Sequence, residues 1–391
     1  MKVVFLLSLL QLLTIILTTM NPIIYNFFRG DYVYLWLLVP SFLAFIISFS
    51  ALPVVIHVAK TKHLVDEPGI RSVHKKGIPT LGGVGIFLGI SVVLSLLGSM
   101  LYDNKILTLL AGLIVLFFLG IKDDLLVLSP RKKFIGQVFS SLVVIMITDI
   151  RIMNFSGIFD VGELPYAISV LFTLFVYVLI INAYNLIDGV DGLAGCIGLL
   201  ASTCFGMFFC MTEQFVLAAI SFITVGALLP FLRHNFSSRQ KIFMGDTGSM
   251  IIGFLLAFQA VNFIWYSQIQ EANSFSNSAP VIALAILFFP LFDTFRVFCI
   301  RMFILKKSPF HPDTNHIHHR IIGNGFKHWQ TTFIISITSL MIVLISVNVL
   351  FLPIGWQLVL LTSIGTIAFM SIMRLRLIKV KGQIKLKFKL T

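Results

Sequence analysis

Runs of about 20 apolar residues, each closed by a short polar stretch, recur along almost the whole chain, and about that many are needed for a helix to cross the hydrocarbon core of a bilayer. The pattern predicts spans over residues 33–57, 81–101, 105–121, 133–149, 164–182, 189–210, 214–232, 242–265, 279–303, 329–351 and 354–373, eleven in all. The alternation over about 10-residue strands that marks a transmembrane barrel is not seen. The predicted fold class is therefore all-α, a polytopic helical bundle in the membrane. Residues 1–20, MKVVFLLSLLQLLTIILTTM, are apolar as well and admit three readings: a twelfth span, an uncleaved signal-like segment, or an extension ahead of a start at Met20. The expected organisation is an N-terminal extension over 1–32, a membrane domain over 33–373 and a basic tail over 374–391. No internal repeat, low-complexity region or long linker interrupts it.

Composition agrees with this pattern and excludes a soluble domain: 58% of the residues are hydrophobic, 12% are charged, and mean hydropathy is +1.00. Threading the eleven spans leaves every Lys and Arg except Lys2, Arg29, Lys105 and Arg151 on one side of the membrane or at its boundary. The positive-inside rule makes that side cytoplasmic. The formal charge of +13 is thus first a sidedness signal, and its dispersal over short loops argues against a nucleic-acid partner. The tail RLRLIKVKGQIKLKFKLT alternates basic and apolar residues and is expected to lie on anionic headgroups. Cys196, Cys204, Cys210 and Cys299 all fall inside spans, as free buried thiols would.

The acids carry the chemical information. Asp66, Glu67, Asp123, Asp124, Asp188, Asp191, Asp246, Asp293 and Asp313 lie on the basic side or at its membrane boundary, where a buried carboxylate is unfavourable unless a cation or metal compensates it. In GIKDDLLVLSPRKK, Asp123 and Asp124 are chain neighbours pointing about 100° apart on a helix, so one is expected to face a cleft and the other to be held by structure. Ser129 and Pro130 open the next helix as N-cap and N1, with Arg131, Lys132 and Lys133 in its first turn. Cations there oppose the helix dipole and favour an anionic ligand. In NAYNLIDGVDGLAG, Asn182, Asn185 and Asp188 recur every third residue and share a face suited to a hard cation such as Mg2+; Asp191 reads equally as a cap. IFMGDTGSMIIGF places Asp246 between glycines, either as an N-cap or where backbone approaches phosphate or metal. KKSPFHPDTNHIHHRII gathers His311, His316, His318, His319 and Arg320. No cysteine or fourth ligand supports zinc, and diphosphate or nucleotide recognition fits these donors better. The loop VDEPGIRSVHKKGIPTLGG adds Asp66, Glu67, Arg71, His74 and Lys75 on the same side. A substrate with an anionic head in the cytoplasm and a tail in the bilayer, handled by divalent-metal phosphate chemistry, accounts for this polarity.

With LVDEP, GIKDD, NAYNLIDGVDGLAG, FMGDTGS and HIHHR in this order, the chain resembles the polyprenyl-phosphate N-acetylhexosamine-1-phosphate transferases over about residues 50–325. The resemblance implies attack of undecaprenyl phosphate on the sugar-linked phosphate of a UDP-N-acetylhexosamine, with release of UMP. It implies catalytic roles for Asp123, Asp124 and Lys133, with Asp123 as base, nucleophile or positioning group. It implies Mg2+, with Mn2+ as a substitute, on Asn185 and Asp246, and donor contacts from Asp188, Asp191, His316, His318, His319 and Arg320. HIHHR after SPFHPDTN looks like the GlcNAc-1-phosphate branch, with other N-acetylated UDP-sugars and the MurNAc-pentapeptide donor as alternatives. The expected location is the inner, plasma membrane, multi-pass in the lipid bilayer, with the site cytoplasmic and a homodimer left open. The rival readings are a secondary transporter, which would place ionisable groups near the midplane, and a catalytically inactive scaffold.

Overall fold

The computed structural model describes residues 33–66, 77–126, 128–158, 161–269, 277–308, 315–380 and 383–388. The apolar segment 1–20 therefore lies outside the described residues, as do Glu67, Arg71, His74, Lys75, His311 and Asp313; Asp66 is described as backbone alone.

The predicted spans appear as helices. In chain order these are α1 (Val33–Thr61), α2 (Gly82–Leu101), α3 (Asn104–Leu126), α4 (Pro130–Thr148), α5 (Tyr166–Leu186), α6 (Leu193–Met211), α7 (Phe215–Asn235) and α8 (Gly245–Ile269). There follow α9 (Ala279–Ile286), α10 (Phe288–Cys299), the short α11 (Ile317–Gly323), α12 (His328–Asn348) and α13 (Ile354–Ile372). Among the described residues nine helices are long and apolar enough to cross a membrane, and the bent pair α9–α10 makes up to a tenth. The remaining predicted span, 133–149, is α4, whose first turn carries Arg131, Lys132 and Lys133.

The helix at the centre is α8. Every residue of its most apolar 18-residue window is buried, as expected of a helix hydrophobic all round. It packs against α2, α3, α5 and α6. Small residues bring its N-terminal turn close to its neighbours: a Cβ on Gly83 of α2 would lie 2.1 Å from the Gly248 backbone nitrogen, and one on Gly120 of α3 would lie 2.4 Å from Thr247 Cα. The start of α8 is thereby fixed against both helices.

Three features differ from the sequence expectation. The span predicted over 279–303 is two helices meeting at 78°. Pro290, in the first turn of α10, has no N–H to continue the ladder across the junction, and a proline at that point breaks a helix. Second, α3 and α5 run on to Leu126 and Leu186, past the ends predicted at 121 and 182, which keeps Asp123, Asp124 and Asn185 on helices as their motifs imply. Third, the alternating tail forms a hairpin, β3 (Leu375–Val380) with β4 (Gln383–Phe388), the period of two being that of a strand. It is tied to the bundle by Leu377 N donating to Asn324 O at 3.0 Å and Asn324 Nδ2 donating to Met373 O at 2.9 Å. A shorter pair, β1 (Val65–Asp66) with β2 (Ile78–Pro79), precedes α2.

Candidate functional site

The polar motifs converge at one end of the bundle because each sits at a helix end: Asp123 and Asp124 near the end of α3, Lys133 in the first turn of α4, Asn185 in the last turn of α5, and Asp246 in the first turn of α8. Segment 242–244 is stitched to Pro79 and to the start of α2 by Phe243 N to Pro79 O (2.8 Å), Gly82 N to Phe243 O (2.9 Å) and Gly83 N to Met244 O (2.8 Å). Gly245 follows with φ +73°, and a Cβ there would stand 2.1 Å from Thr80 O and 2.9 Å from the Asp124 carboxylate. Glycine is the residue that accepts both the left-handed backbone and the contact.

The two neighbouring aspartates face different partners. Asp124 caps α8: its Oδ1 accepts from Asp246 N at 2.8 Å, and its Oδ2 accepts from Thr247 N at 3.1 Å and Thr247 Oγ1 at 2.5 Å. A carboxylate on the first N–H groups of a helix also complements the dipole. Asp123 is 4% exposed, accepts from Leu128 N at 2.6 Å through Oδ1, and pairs through Oδ2 with Lys133 Nζ.

Lys133 Nζ also lies 3.3 Å from Asp246 Oδ1, so the cation that sequence alone left facing an anionic ligand is shared by two carboxylates of the protein. Asn185 Nδ2 donates to Asp246 Oδ1 at 2.7 Å and to Ser249 Oγ at 2.7 Å. Asp123, Lys133, Asn185 and Asp246 thus form one cluster. Asn182, placed by its spacing on the same cation-binding face, instead pairs with Gln137, because it stands one helical turn deeper than Asn185.

Asp188 lies just beyond α5, in the turn that leads to α6. Burial first, and then the carboxylates of Asp246 and Asp124, push its pKa up to about 8, against a hydrogen bond from the Gly245 backbone. Excess negative charge at this spot is what a bound cation relieves. Among the described residues no three His, Cys, Asp or Glu side chains are grouped as a metal cage. The oxygen donors present, the Asp246 carboxylate and the Asn185 amide beside Asp188, match an ion such as Mg2+ that takes one or two carboxylates and completes its shell with phosphate and water.

Asp191 is engaged in the fold. Its Oδ2 lies 2.6 Å from Lys241 Nζ and 3.2 Å from His328 Nδ1, and its carbonyl accepts from Thr332 Oγ1 at 2.7 Å. The turn after α5 is therefore strapped to the segment before α8 and to the start of α12. Burial raises the Asp191 pKa, but hydrogen bonds from His328 and Lys241 outweigh it and hold the carboxyl below its ordinary value.

The histidine motif opens α11, and its organiser is a residue that sequence reading left without a role. Asp293 on α10, with no exposed surface, lies with Oδ2 2.9 Å from His316 Nδ1 and accepts from Ile317 N at 2.9 Å through Oδ1. Arg296 Nη1 stands 3.7 Å from Asp293 and donates to Asn315 O at 2.8 Å. The available signal was a fully ionisable residue inside an apolar run. His318 is 1% exposed; burial lowers its pKa to about 3, so the ring is neutral at physiological pH. The rings of His318 and His319 have centroids 4.3 Å apart. A Cβ on Gly189 would lie 3.5 Å from His318 Nε2 and 4.0 Å from His319 Cε1, so the histidines border the turn holding Asp188. Arg320 is exposed on the outer face of α11.

Fold and site together define a polytopic membrane protein with a cluster of ionisable groups at the ends of α3, α4, α5 and α8, whereas a transporter gathers such groups near the midplane. Comparison with known proteins identifies the group. The profile described as "Glycosyl transferase family 4" matches residues 106–264. A probable undecaprenyl-phosphate N-acetylglucosaminyl 1-phosphate transferase of Bacillus subtilis (strain 168) is 33% identical over 304 residues, covering 75% of this chain and 80% of the relative. The undecaprenyl-phosphate alpha-N-acetylglucosaminyl 1-phosphate transferase of Escherichia coli (strain K12) is 31% identical over 296 residues, covering 74% and 77%; that of Yersinia pestis is 30% identical over 312 residues, covering 78% and 81%. The chain belongs to glycosyl transferase family 4, in the branch of these membrane phosphoglycosyl transferases.

Proposed function

We propose that this protein transfers N-acetylglucosamine 1-phosphate from UDP-GlcNAc to undecaprenyl phosphate at the cytoplasmic face of the plasma membrane. The observation that carries the reading is the Asp123–Lys133–Asp246–Asn185 cluster, set at the ends of four apolar helices, where a lipid-borne phosphate and a soluble nucleotide sugar can meet. An oxygen of the lipid phosphate forms a bond to the sugar-linked phosphorus, the bond from that phosphorus to the bridging oxygen breaks, and UMP leaves with that oxygen. The products are UMP and the lipid-linked diphosphate sugar.

A phosphate monoester has its second pKa at about 6, so the attacking group carries little proton to remove at neutral pH. Asp123, fixed by Leu128 N and Lys133, accordingly orients the lipid phosphate as much as it accepts a proton. Lys133 offsets repulsion between two anionic substrates. Asp246 and Asn185 would hold Mg2+, which supplies charge stabilisation at the diphosphate when bound. His319 would contact the diphosphate and sugar, with Arg320 at the rim and the buried His316 and His318 setting the position of His319 from behind.

The test incubates purified protein and undecaprenyl phosphate with UDP-GlcNAc, UDP-GalNAc or UDP-MurNAc-pentapeptide and follows UMP, with and without EDTA. UMP from UDP-GlcNAc alone, requiring lipid and divalent ion, is the expected result. UMP from a different donor alone changes the sugar, and UMP from none removes the proposal.

A further inference from the structure

One turn beneath the charged cluster three of its four helices, α4, α5 and α8, meet again. Gln137 follows Lys133 by four residues on α4, Asn182 precedes Asn185 by three on α5, and Met250 follows Asp246 by four on α8. Residues three or four apart share a helix face, so this second layer lies under the first. Asn182 Nδ2 donates to Gln137 Oε1 at 2.7 Å and to Val178 O at 2.7 Å. Gln137 Nε2 reaches Asn182 Oδ1 at 3.4 Å and Met250 Sδ at 3.8 Å.

We propose that Gln137 is a positioning residue for the transfer, holding α4 at the rotation that lands Lys133 between Asp123 and Asp246; the catalytic part of this inference rests on the function proposed above. Gln137 is 2% exposed and both ends of its amide are engaged, so it touches no substrate. Helices in lipid gain no hydrophobic drive to associate, and interhelical hydrogen bonds contribute to fixing their mutual placement. On its outward side α4 exposes Ile135, Phe139, Met146 and Ile147; inward it packs on α3, with Gly136 against Leu119, and toward α5 the Gln137 amide is the polar contact of this layer. A rotation of α4 would sweep Lys133 away from its carboxylates, and a misplacement of about 1 Å at a reacting centre lowers rates by about 100-fold.

The test compares Gln137→Leu, which replaces the amide by an apolar side chain of similar bulk, with the exchange Gln137→Asn plus Asn182→Gln, which restores an amide pair. In Gln137→Leu, kcat for UMP release is expected to fall about 10- to 100-fold, with both KM values and the detergent Tm close to wild type; the exchange is expected to recover most of the loss. Wild-type kcat in Gln137→Leu overturns the proposal. So does a loss confined to the lipid KM, or one that tracks a fall in Tm and is not recovered by the exchange. A readout independent of activity uses spin labels at Arg131→Cys and Gly189→Cys in a chain with its four cysteines replaced. Gln137→Leu is expected to broaden the distribution of distances between the start of α4 and the turn after α5, and the exchange to narrow it again; an unchanged distribution overturns the positioning. A wild-type chain releasing no UMP would remove the proposed function, and the spin distances would still decide this geometry.

Discussion

At the scale of single residues, Asp123 and Asp124 show how adjacent identical side chains acquire different tasks. Asp124 spends its oxygens on the first turn of α8, and Asp123 faces Lys133. Asp124→Ala is expected to destabilise the fold by about 1 kcal/mol for a lost helix cap, read as a lower Tm, and to lower kcat because Asp246 shifts with its helix end. Asp123→Asn is expected to lower kcat at least as far while Tm holds. Thermal melts beside UMP kinetics separate the two, and equal Tm losses would put both carboxylates in the same structural role. Asp246→Ala is expected to abolish divalent-ion-dependent turnover, read as UMP release over a Mg2+ titration. Asp293→Asn acts at a distance. With one carboxylate oxygen replaced by an amide nitrogen, His316 loses its orientation, so the KM for the UDP-sugar is expected to rise while that for the lipid stays unchanged.

At the scale of elements, the site depends on helix ends that glycine allows to approach. Gly120→Val would drive a side chain into the Thr247 backbone, 2.4 Å from the ideal Cβ; overpacking of this kind destabilises by about 1–3 kcal/mol, and a lowered Tm with lost activity is the expected outcome. The strap on Asp191 adds a pH dependence of definite sign. Its folded pKa lies below the unfolded value, so its contribution is fully present above about pH 4 and is lost as pH falls through the folded pKa. Stability of wild type and Asp191→Asn, measured from pH 7 downward, should therefore converge only in acid. Convergence near pH 7 would contradict the ion-pair assignment. Element length was only partly readable from the chain. Hydropathy ends α3 and α5 where polar residues begin, although nothing there breaks a helix, and the backbone continues for another turn. The break between α9 and α10 carried a readable signal in Pro290, masked by an apolar run of span length.

At the scale of the whole molecule, the bundle brings segments far apart in the chain to one face, with Lys133 reaching Asp246 across 113 positions. If that face is cytoplasmic, as the distribution of Lys and Arg implies, an impermeant thiol reagent added outside intact cells should leave Arg320→Cys unlabelled and react once the membrane is opened. Labelling from outside would invert the topology. The sequence by itself determined the membrane class, the approximate places of the apolar helices and the motif residues near their ends, because the 20-residue apolar period and the rarity of charge in lipid are properties of linear order. Only the tertiary structure decided which of those residues meet. Which of two neighbouring aspartates caps a helix, why Asn182 pairs with Gln137 while Asn185 pairs with Asp246, and how Asp293 comes to hold the histidines all depend on helix rotation and on the glycine contacts that set how closely helices pack. Those are relations between segments, and no local pattern records them.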